Sequence, residues 1–197
     1  MAKKIELEIE SLGTYSQNKP VSVEKNKKES HDDYEQRTWM YRMHWDDDDR
    51  VFIPPMAFKN CISEAAKYLS IKTSGKATFT KHFKAGVLIV DPSVLKNPQK
   101  EQPILKDSVR GDRVFVPSNG IAGGGSRVWK TFPCIDAWKT SLTVLILDDI
   151  ITESVFLEHI NQAGHLIGVG RFRPINNGYY GRFKVNNHSW YDSLTAS

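Results

Sequence analysis

The residues best suited to chemistry in this sequence lie near its C-terminal end, in residues 168–183, GVGRFRPINNGYYGRF. These 16 positions contain four glycines, three arginines and four aromatic residues. Glycine lets a backbone approach a ligand closely, arginine forks onto phosphate oxygens, and an aromatic ring offers a stacking face to an unpaired base. We call residues 168–183 the glycine-rich loop and predict that it contacts a phosphate backbone.

The candidate nucleic-acid-binding residues form two groups. Those in the glycine-rich loop are Gly168, Gly170, Arg171, Phe172, Arg173, Tyr179, Tyr180, Gly181 and Arg182. A basic stretch with tryptophans upstream adds Arg127 and Lys130. The alternative for the loop is a plain β-hairpin with its turn at 176–178. The alternative for the upstream stretch is ordinary sheet packing, because tryptophan is as often a core residue as a stacking platform.

Charge supports an anionic partner for the C-terminal part of the chain. The formal net charge is only +4, but residues 166–187 hold four basic residues and no acidic one. Acidic residues concentrate in the first half instead, at 32–33 and at 46–49. The positive field is therefore local to the glycine-rich loop and its surroundings.

The sequence contains no signature of a known enzyme class or cofactor site. Neither HExxH, GxSxG, a Walker loop nor a Cys–His signature is present. Cys61 and Cys134 make neither a disulfide framework nor a metal knuckle. We therefore assign no catalytic residue, no metal ligand and no cofactor. One alternative stays open, a Mg²⁺ site formed by residues 46–49 with His44, because oxygen ligands suit that ion.

The elements that must position the loop can be predicted from residue periodicity. Strict alternation in residues 3–10 predicts a half-buried strand. Pro54-Pro55 followed by apolar residues at helical spacing predicts a first long helix. Thr152 is a suitable N-cap for a second helix, with Gly164 in the C-cap position.

Further strand patterns lie between and after the two helices. They cover 78–83, 86–91, 113–116, a long strand or a broken pair at 127–147, and a final strand that begins near 166 and resumes at 179–185. The order strand, helix, strand, strand, helix, strand predicts an α+β fold with a ferredoxin-like, RRM-like βαββαβ core and an antiparallel sheet. We expect one domain over 1–197, with large insertions at about 15–50 and 92–126 and a loose tail at 186–197.

The glycine-rich loop, placed after the second predicted helix, resembles that of the RAMP superfamily, the ferredoxin-like backbone and processing subunits of CRISPR effector complexes. The resemblance rests on the pattern G-x-G-x-x-R followed by G-x-x-G-R-F. It implies that RNA or another single strand binds across a sheet face, with the loop on the strand's backbone. It also implies possible assembly into a homo-oligomer or a protein complex.

Most of the chain is also similar to a family of small bacteriophage proteins. The shared features are Ile53-Pro54-Pro55, Ala65-Ala66-Lys67, Arg127, Lys130-Thr131, Pro133, Trp138, Ala163-Gly164 and the glycine-rich loop. This similarity implies a phage or mobile-element origin and a location in the cytoplasm of a bacterial host. No apolar run reaches the ~20 residues that span a bilayer, so we expect no membrane partner.

The function that these observations favour is non-catalytic binding of single-stranded nucleic acid, RNA more than DNA. One alternative is a metal-independent endoribonuclease of the RAMP type, with His44 or His82 as general base. Another is a phage protein that interacts with or inhibits a nucleic-acid-guided defence complex of the host. The acidic run at 46–49 motivates that last alternative.

Overall fold

A computed structural model describes residues 2–118 and 125–193. In chain order its strands are β1 (Lys3–Ser11), β2 (Tyr15–Ser16), β3 (Phe52–Ile53), β4 (Lys72–Ser74), β5 (Ala77–Thr78), β6 (Val87–Ile89), β7 (Ser93–Val94), β8 (Arg110–Pro117), β9 (Arg127–Ile135), β10 (Lys139–Ile146) and β11 (Phe183–Tyr191). Its α-helices are α1 (His31–Thr38), α2 (Pro55–Leu69), α3 (Thr80–Gly86) and α4 (Glu153–Gln162).

The main sheet has the strand order β11-β1-β10-β6, and all its neighbours are antiparallel. The connection from β1 to β6 runs through α2, and the connection from β10 to β11 runs through α4. This is the ferredoxin-like arrangement of two split βαβ units. The predicted α+β fold with an antiparallel βαββαβ core is confirmed.

The core lies on one face of this sheet. Ile5, Leu7 and Ile9 of β1 are buried in one apolar cluster together with Phe58 of α2 and Phe156 of α4. The alternation of buried and exposed residues along β1 is the pattern that the sequence predicts.

Both long helices begin where the sequence predicts. Pro55 occupies the first turn of α2, and the Thr152 side chain accepts a hydrogen bond from the Val155 N–H at the start of α4. The predicted C-cap at Gly164 is wrong, because α4 continues into a π turn at Ala163–Ile167, and the residue that ends this turn with a positive φ (+73°) is Gly168. Gly164 instead packs against Phe183, where an added Cβ would lie 2.9 Å from Cδ2.

One predicted strand pattern is wrong, and one open alternative is resolved. Residues 78–83 form the end of β5 and most of α3, because Phe79 and Phe83 are one helical turn apart and both are buried. The Lys59 ammonium donates to the carbonyls of Phe83 (2.6 Å) and Lys84 (2.9 Å) at the end of α3. The stretch 127–147 is the broken pair, β9 and β10.

A second sheet, of order β2-β9-β8, pairs one strand from each insertion with the central strand β9. Segment 15–50 contributes β2 and α1, and Ser30 caps α1 by accepting the Asp33 N–H at 3.0 Å. Segment 92–126 contributes β7 and β8, and its residues 119–124 lie outside the described residues. Within 2–118 and 125–193, no helix is long and apolar enough to cross a membrane.

The expectation of a loose tail from residue 186 is wrong for residues 186–191. Residues 186–191 belong to β11 and pair with β1, with His188 opposite Leu7. Strand β1 supplies backbone hydrogen-bond partners for this polar stretch. The composition of the stretch does not indicate this pairing. Residues 194–197 lie outside the described part of the chain.

Candidate nucleic-acid interface

The glycine-rich loop is not a hairpin. Before β11 begins at Phe183, it contains one short 3-10 helix, Pro174–Asn176, and no strand. The backbone φ angle is positive at Gly168 (+73°), Gly170 (+82°), Phe172 (+55°), Asn177 (+59°) and Gly181 (+76°). Because an extended strand needs negative φ at every residue, the predicted strand from 166 and the hairpin alternative are both wrong.

Main-chain hydrogen bonds seat the loop against residues 12–16. The Arg171 N–H donates to the Ser16 carbonyl (2.7 Å), and the Gly181 N–H donates to the Thr14 carbonyl (2.8 Å). A Cβ added at Gly170 would lie 2.5 Å from Cε2 of Tyr15, which is fully buried. Glycine at 170 therefore serves the packing of the loop on β2.

A cleft of about 540 Å³ opens between the loop, residues 17–20, His44 and the start of α2. We call it the basic cleft, because its charged lining residues are Lys19, Arg171 and Arg173. None of the described residues that line it is an aspartate or a glutamate. Pro54 and Ala57 place the positive end of the α2 dipole at the same cleft.

Arg171 is the most unusual side chain of the basic cleft. Its guanidinium carbon lies 3.6 Å from the ring centroid of Phe132, which is a close cation–π stack. Burial lowers the pKa of this guanidinium below its usual value. Within the described residues, no carboxylate lies within 4.0 Å of it.

Other arginines of the protein are already neutralised. Each of the following pairs has a nitrogen–oxygen distance of 3.0 Å or less: Arg37–Glu29, Arg42–Glu35, Arg50–Asp46, Arg110–Asp136 and Arg113–Asp32. Arg171 therefore differs from them in having a partly desolvated charge that is available to an anion from outside.

The other two loop arginines have different roles. Arg173, like Arg171, lines the basic cleft and has no carboxylate within ion-pair distance among the described residues. Arg182 donates to the carbonyls of His165 (3.1 Å) and Tyr179 (3.5 Å). Two arginines thus face the cleft, and the third holds the loop together.

An aromatic group stands at the mouth of the basic cleft. Phe172 is 44% exposed and meets the rings of Tyr179 and Tyr180 edge-on, at centroid distances of 5.8 and 5.4 Å. Tyr179 is 72% exposed. Burial raises the pKa of the Tyr180 hydroxyl, which stays protonated at neutral pH. The group presents ring faces of the kind on which unpaired bases stack.

The structure does not bring Arg127 and Lys130 to this cleft. Arg127 begins β9, five residues before Phe132, which corresponds to ~16 Å along a strand. It lines a separate groove of about 390 Å³ together with Trp129 and Phe115, whose rings are 5.1 Å apart. Lys130 lies opposite Val114 in the β8–β9 pairing and is half-buried.

Sequence reasoning missed three residues of the site. Phe132 carries Arg171, whereas the sequence groups it with the upstream basic stretch that contains Arg127 and Lys130. Lys19 lies in a polar lysine-rich stretch and reaches the cleft because β2 pairs with β9. Gln17 is buried and accepts the His44 N–H at 2.7 Å, which fixes His44 at the cleft. No local pattern distinguishes these residues from their neighbours.

The acidic run at 46–49 is paired within the protein. Arg50 bonds Asp46 at 2.8 Å and Asp48 at 3.1 Å, and Lys106 bonds Asp49 at 2.7 Å. The part of the chain that the structure describes contains no group of three histidine, cysteine or acidic side chains placed to hold a metal ion. The geometry therefore does not favour a Mg²⁺ site at His44 and residues 46–49.

The outer face of the main sheet carries both glutamates and lysines. Glu6, Glu8 and Glu10 alternate with the buried residues of β1 and lie on this face. Lys4 pairs with Glu6 at 2.6 Å and Lys184 with Glu10 at 3.2 Å, while Glu8 is exposed. Lys139 of β10 also lies opposite Glu10, so lysines offset these carboxylates, and the expected binding across the sheet face stays a prediction.

No protein-family model matches the sequence, and no curated protein matches it significantly. Among solved structures, the fold is similar to a chain of the cryo-EM structure of the Type III-B Cmr-beta bound to cognate target RNA, with a TM-score of 0.57 and 11% identity. The match covers 96% of this chain and 61% of that chain, so this protein spans about three fifths of its length. At such identity the likeness shows the fold alone. The relation to a phage family stays a prediction.

Proposed function

We propose that this chain binds single-stranded nucleic acid without cleaving it and holds the phosphate backbone in the basic cleft. The observation that carries the proposal is the guanidinium of Arg171, stacked on Phe132, facing the cleft and without a carboxylate partner in the described residues. RNA is preferred over DNA in this proposal because the similar solved chain comes from a structure bound to target RNA. A phage or mobile-element origin remains a prediction from sequence similarity.

The cleft offers separate partners to the phosphates and the bases of a strand. Arg171, Arg173 and Lys19 supply positive charge, and guanidinium groups can bond phosphate oxygens bidentately. Pro54 and Pro55 have no N–H, so the start of α2 contributes mainly through its dipole. Phe172 and Tyr179 then provide stacking faces for bases, which suits a single strand better than a duplex.

The test is oligonucleotide binding by an Arg171→Ala/Arg173→Ala variant. We expect clearly weaker binding of a labelled single-stranded RNA at low salt. We also expect the slope of log K against log salt to fall by about 1.4, since each lost phosphate contact on a single strand contributes ~0.7. Fluorescence anisotropy across a salt series measures both quantities.

The matched control is Arg37→Ala/Arg50→Ala. This variant also loses two positive charges, but its two arginines are paired with carboxylates outside the cleft. We expect its affinity and salt slope to stay close to those of the unaltered protein. Equal losses in the two variants would mean that only net charge matters, and the cleft assignment would then be wrong.

A second candidate function is metal-independent cleavage of RNA, and one observation favours it. His44, a predicted general base, lines the basic cleft, and burial together with the charge of Lys19 lowers the pKa of its imidazole. The ring is therefore neutral at pH 7 and able to accept a proton. His82, the other predicted base, is 2.7 Å from Asp148 and is not among the residues that line the cleft.

Incubation of the protein with end-labelled RNA in excess EDTA separates the two functions. Binding without time-dependent cleavage supports the non-catalytic proposal. Cleavage that His44→Gln abolishes, while leaving RNA binding intact, would replace it with the endoribonuclease.

A further inference from the structure

A buried carboxylate lies behind the basic cleft. Glu35 of α1 is 2% exposed, and its oxygens accept hydrogen bonds from Arg42 Nη2 at 2.9 Å and from the Thr131 N–H of β9 at 2.9 Å. Strand β2 pairs with β9 only at Cys134 and Ile135. The Thr131 N–H therefore has no β2 partner and donates to Glu35 instead. The carboxylate thereby joins α1 to the strand that carries Phe132.

Arg42 connects this carboxylate to both walls of the cleft. Its guanidinium carbon lies 5.4 Å from the centroid of Phe132, the ring on which Arg171 stacks. Its Nη1 donates to the Asn18 side chain at 3.3 Å, and its carbonyl accepts the Lys19 N–H at 2.8 Å. Asn18 and Lys19 line the cleft, whereas Arg42 itself does not.

We propose that Arg42 is a positioning residue for the basic cleft and acts on Arg171 through Phe132. Glu35 neutralises the charge of Arg42, so Arg42 contributes order and not net attraction. Held between Glu35 and Phe132, it fixes the ring that supports Arg171, and a side chain fixed before binding loses less entropy when it bonds a phosphate. The proposal rests on the function proposed for the cleft.

The test is a Glu35→Gln/Arg42→Met variant, which loses one negative and one positive charge and so keeps the net charge of the protein. Replacing both members of a buried pair avoids leaving a lone buried charge. We expect the variant to remain folded and to bind labelled single-stranded RNA about tenfold more weakly, within the usual range for coupled neighbours. Thermal unfolding of the same samples checks the fold.

A comparison in an Arg171→Ala background tests whether Arg42 affects RNA binding through Arg171. In an Arg171→Ala background, the Glu35→Gln/Arg42→Met changes should cause little further loss of RNA affinity, because the residue through which Arg42 acts is already absent. An equal tenfold loss in both backgrounds would show a general structural effect and overturn the inference.

The conservative variant Arg42→Lys keeps a cation beside Glu35 but lacks the planar guanidinium over Phe132. We expect it to be folded and to bind RNA as weakly as the double variant, and full affinity in Arg42→Lys would also overturn the inference. Failure of the unaltered protein to bind any oligonucleotide is a different result, since it would reject the function of the cleft itself.

Discussion

Replacing Gly170 with alanine tests how the glycine-rich loop is seated on the rest of the protein. Gly170 has φ +82°, and an added Cβ would lie 2.5 Å from Tyr15 Cε2 and closer still to the Ser16 carbonyl oxygen. Tyr15 is held in place by an edge-to-face contact with Trp138, at a centroid distance of 5.8 Å, and both rings are fully buried. The methyl group therefore has no space into which it can move.

Two costs add at this position. A left-handed backbone costs a non-glycine residue ~1–2 kcal/mol, and overpacking a tight contact costs a further ~1–3 kcal/mol. We expect the free energy of unfolding to fall by about 3 kcal/mol. For a chain of this size that corresponds to a decrease of roughly 6–12 °C in Tm. RNA affinity should fall as well, because Arg171 follows directly in the chain.

Two other glycines separate the costs. Gly75 has φ +55° with nothing within 4 Å of its added Cβ, so Gly75→Ala should show only the backbone cost of ~1–2 kcal/mol. Gly13 has neither a left-handed φ nor a neighbour within 4 Å, so Gly13→Ala should change stability by less than ~1 kcal/mol. Urea unfolding followed by tryptophan fluorescence measures all three variants. Equal losses in Gly170→Ala and Gly75→Ala would refute the packing argument.

Two further predictions concern charge. Asp112 lies opposite Phe132 in the β8–β9 pairing and interacts electrostatically with Arg171. Removing this negative charge in Asp112→Asn should tighten RNA binding about threefold. Unchanged affinity in fluorescence anisotropy would contradict this prediction. Burial lowers the pKa of His159 below its ordinary 6.5, so the unfolded chain binds more protons and stability should fall as pH drops below about 6.5. The urea midpoints at pH 7.5 and pH 5.5 should differ less in His159→Leu than in the unaltered protein. An equal difference in the two proteins would show that His159 does not cause the loss of stability.

The elements that the sequence predicts well are those whose signal is local and long. Strand β1 alternates over its whole length, and α2 combines a proline start with several turns of apolar spacing. The prediction of a strand at residues 78–83 is wrong because a segment of six residues with aromatics at 79 and 83 fits a strand or a helix about equally well. The strand at residues 186–191 is not predicted because polar residues on an edge strand follow no apolar pattern.

The candidate site likewise has a part that the sequence predicts and a part that it does not. Its glycines, arginines and aromatics stand out as a group in the sequence, so the loop could be located from residue types alone. The ring of Phe132, the side chain of Lys19 and the Arg42–Glu35 pair come from segments far away in the chain. They meet the loop only because β2 pairs with β9 and the loop bonds to residues 14–16.

By itself, the sequence determined the order of the main strands and helices of the βαββαβ core and the position of the glycine-rich loop, because these depend on periodicity and on residue types close together in the chain. Only the tertiary structure decided which arginines of the loop are available to a ligand. Arg182 bonds the carbonyls of His165 and Tyr179, whereas Arg171 stacks on Phe132 and faces the basic cleft. The physical reason is that hydrogen bonding, ion pairing and desolvation depend on distances through space, and these distances are set by how remote segments pack.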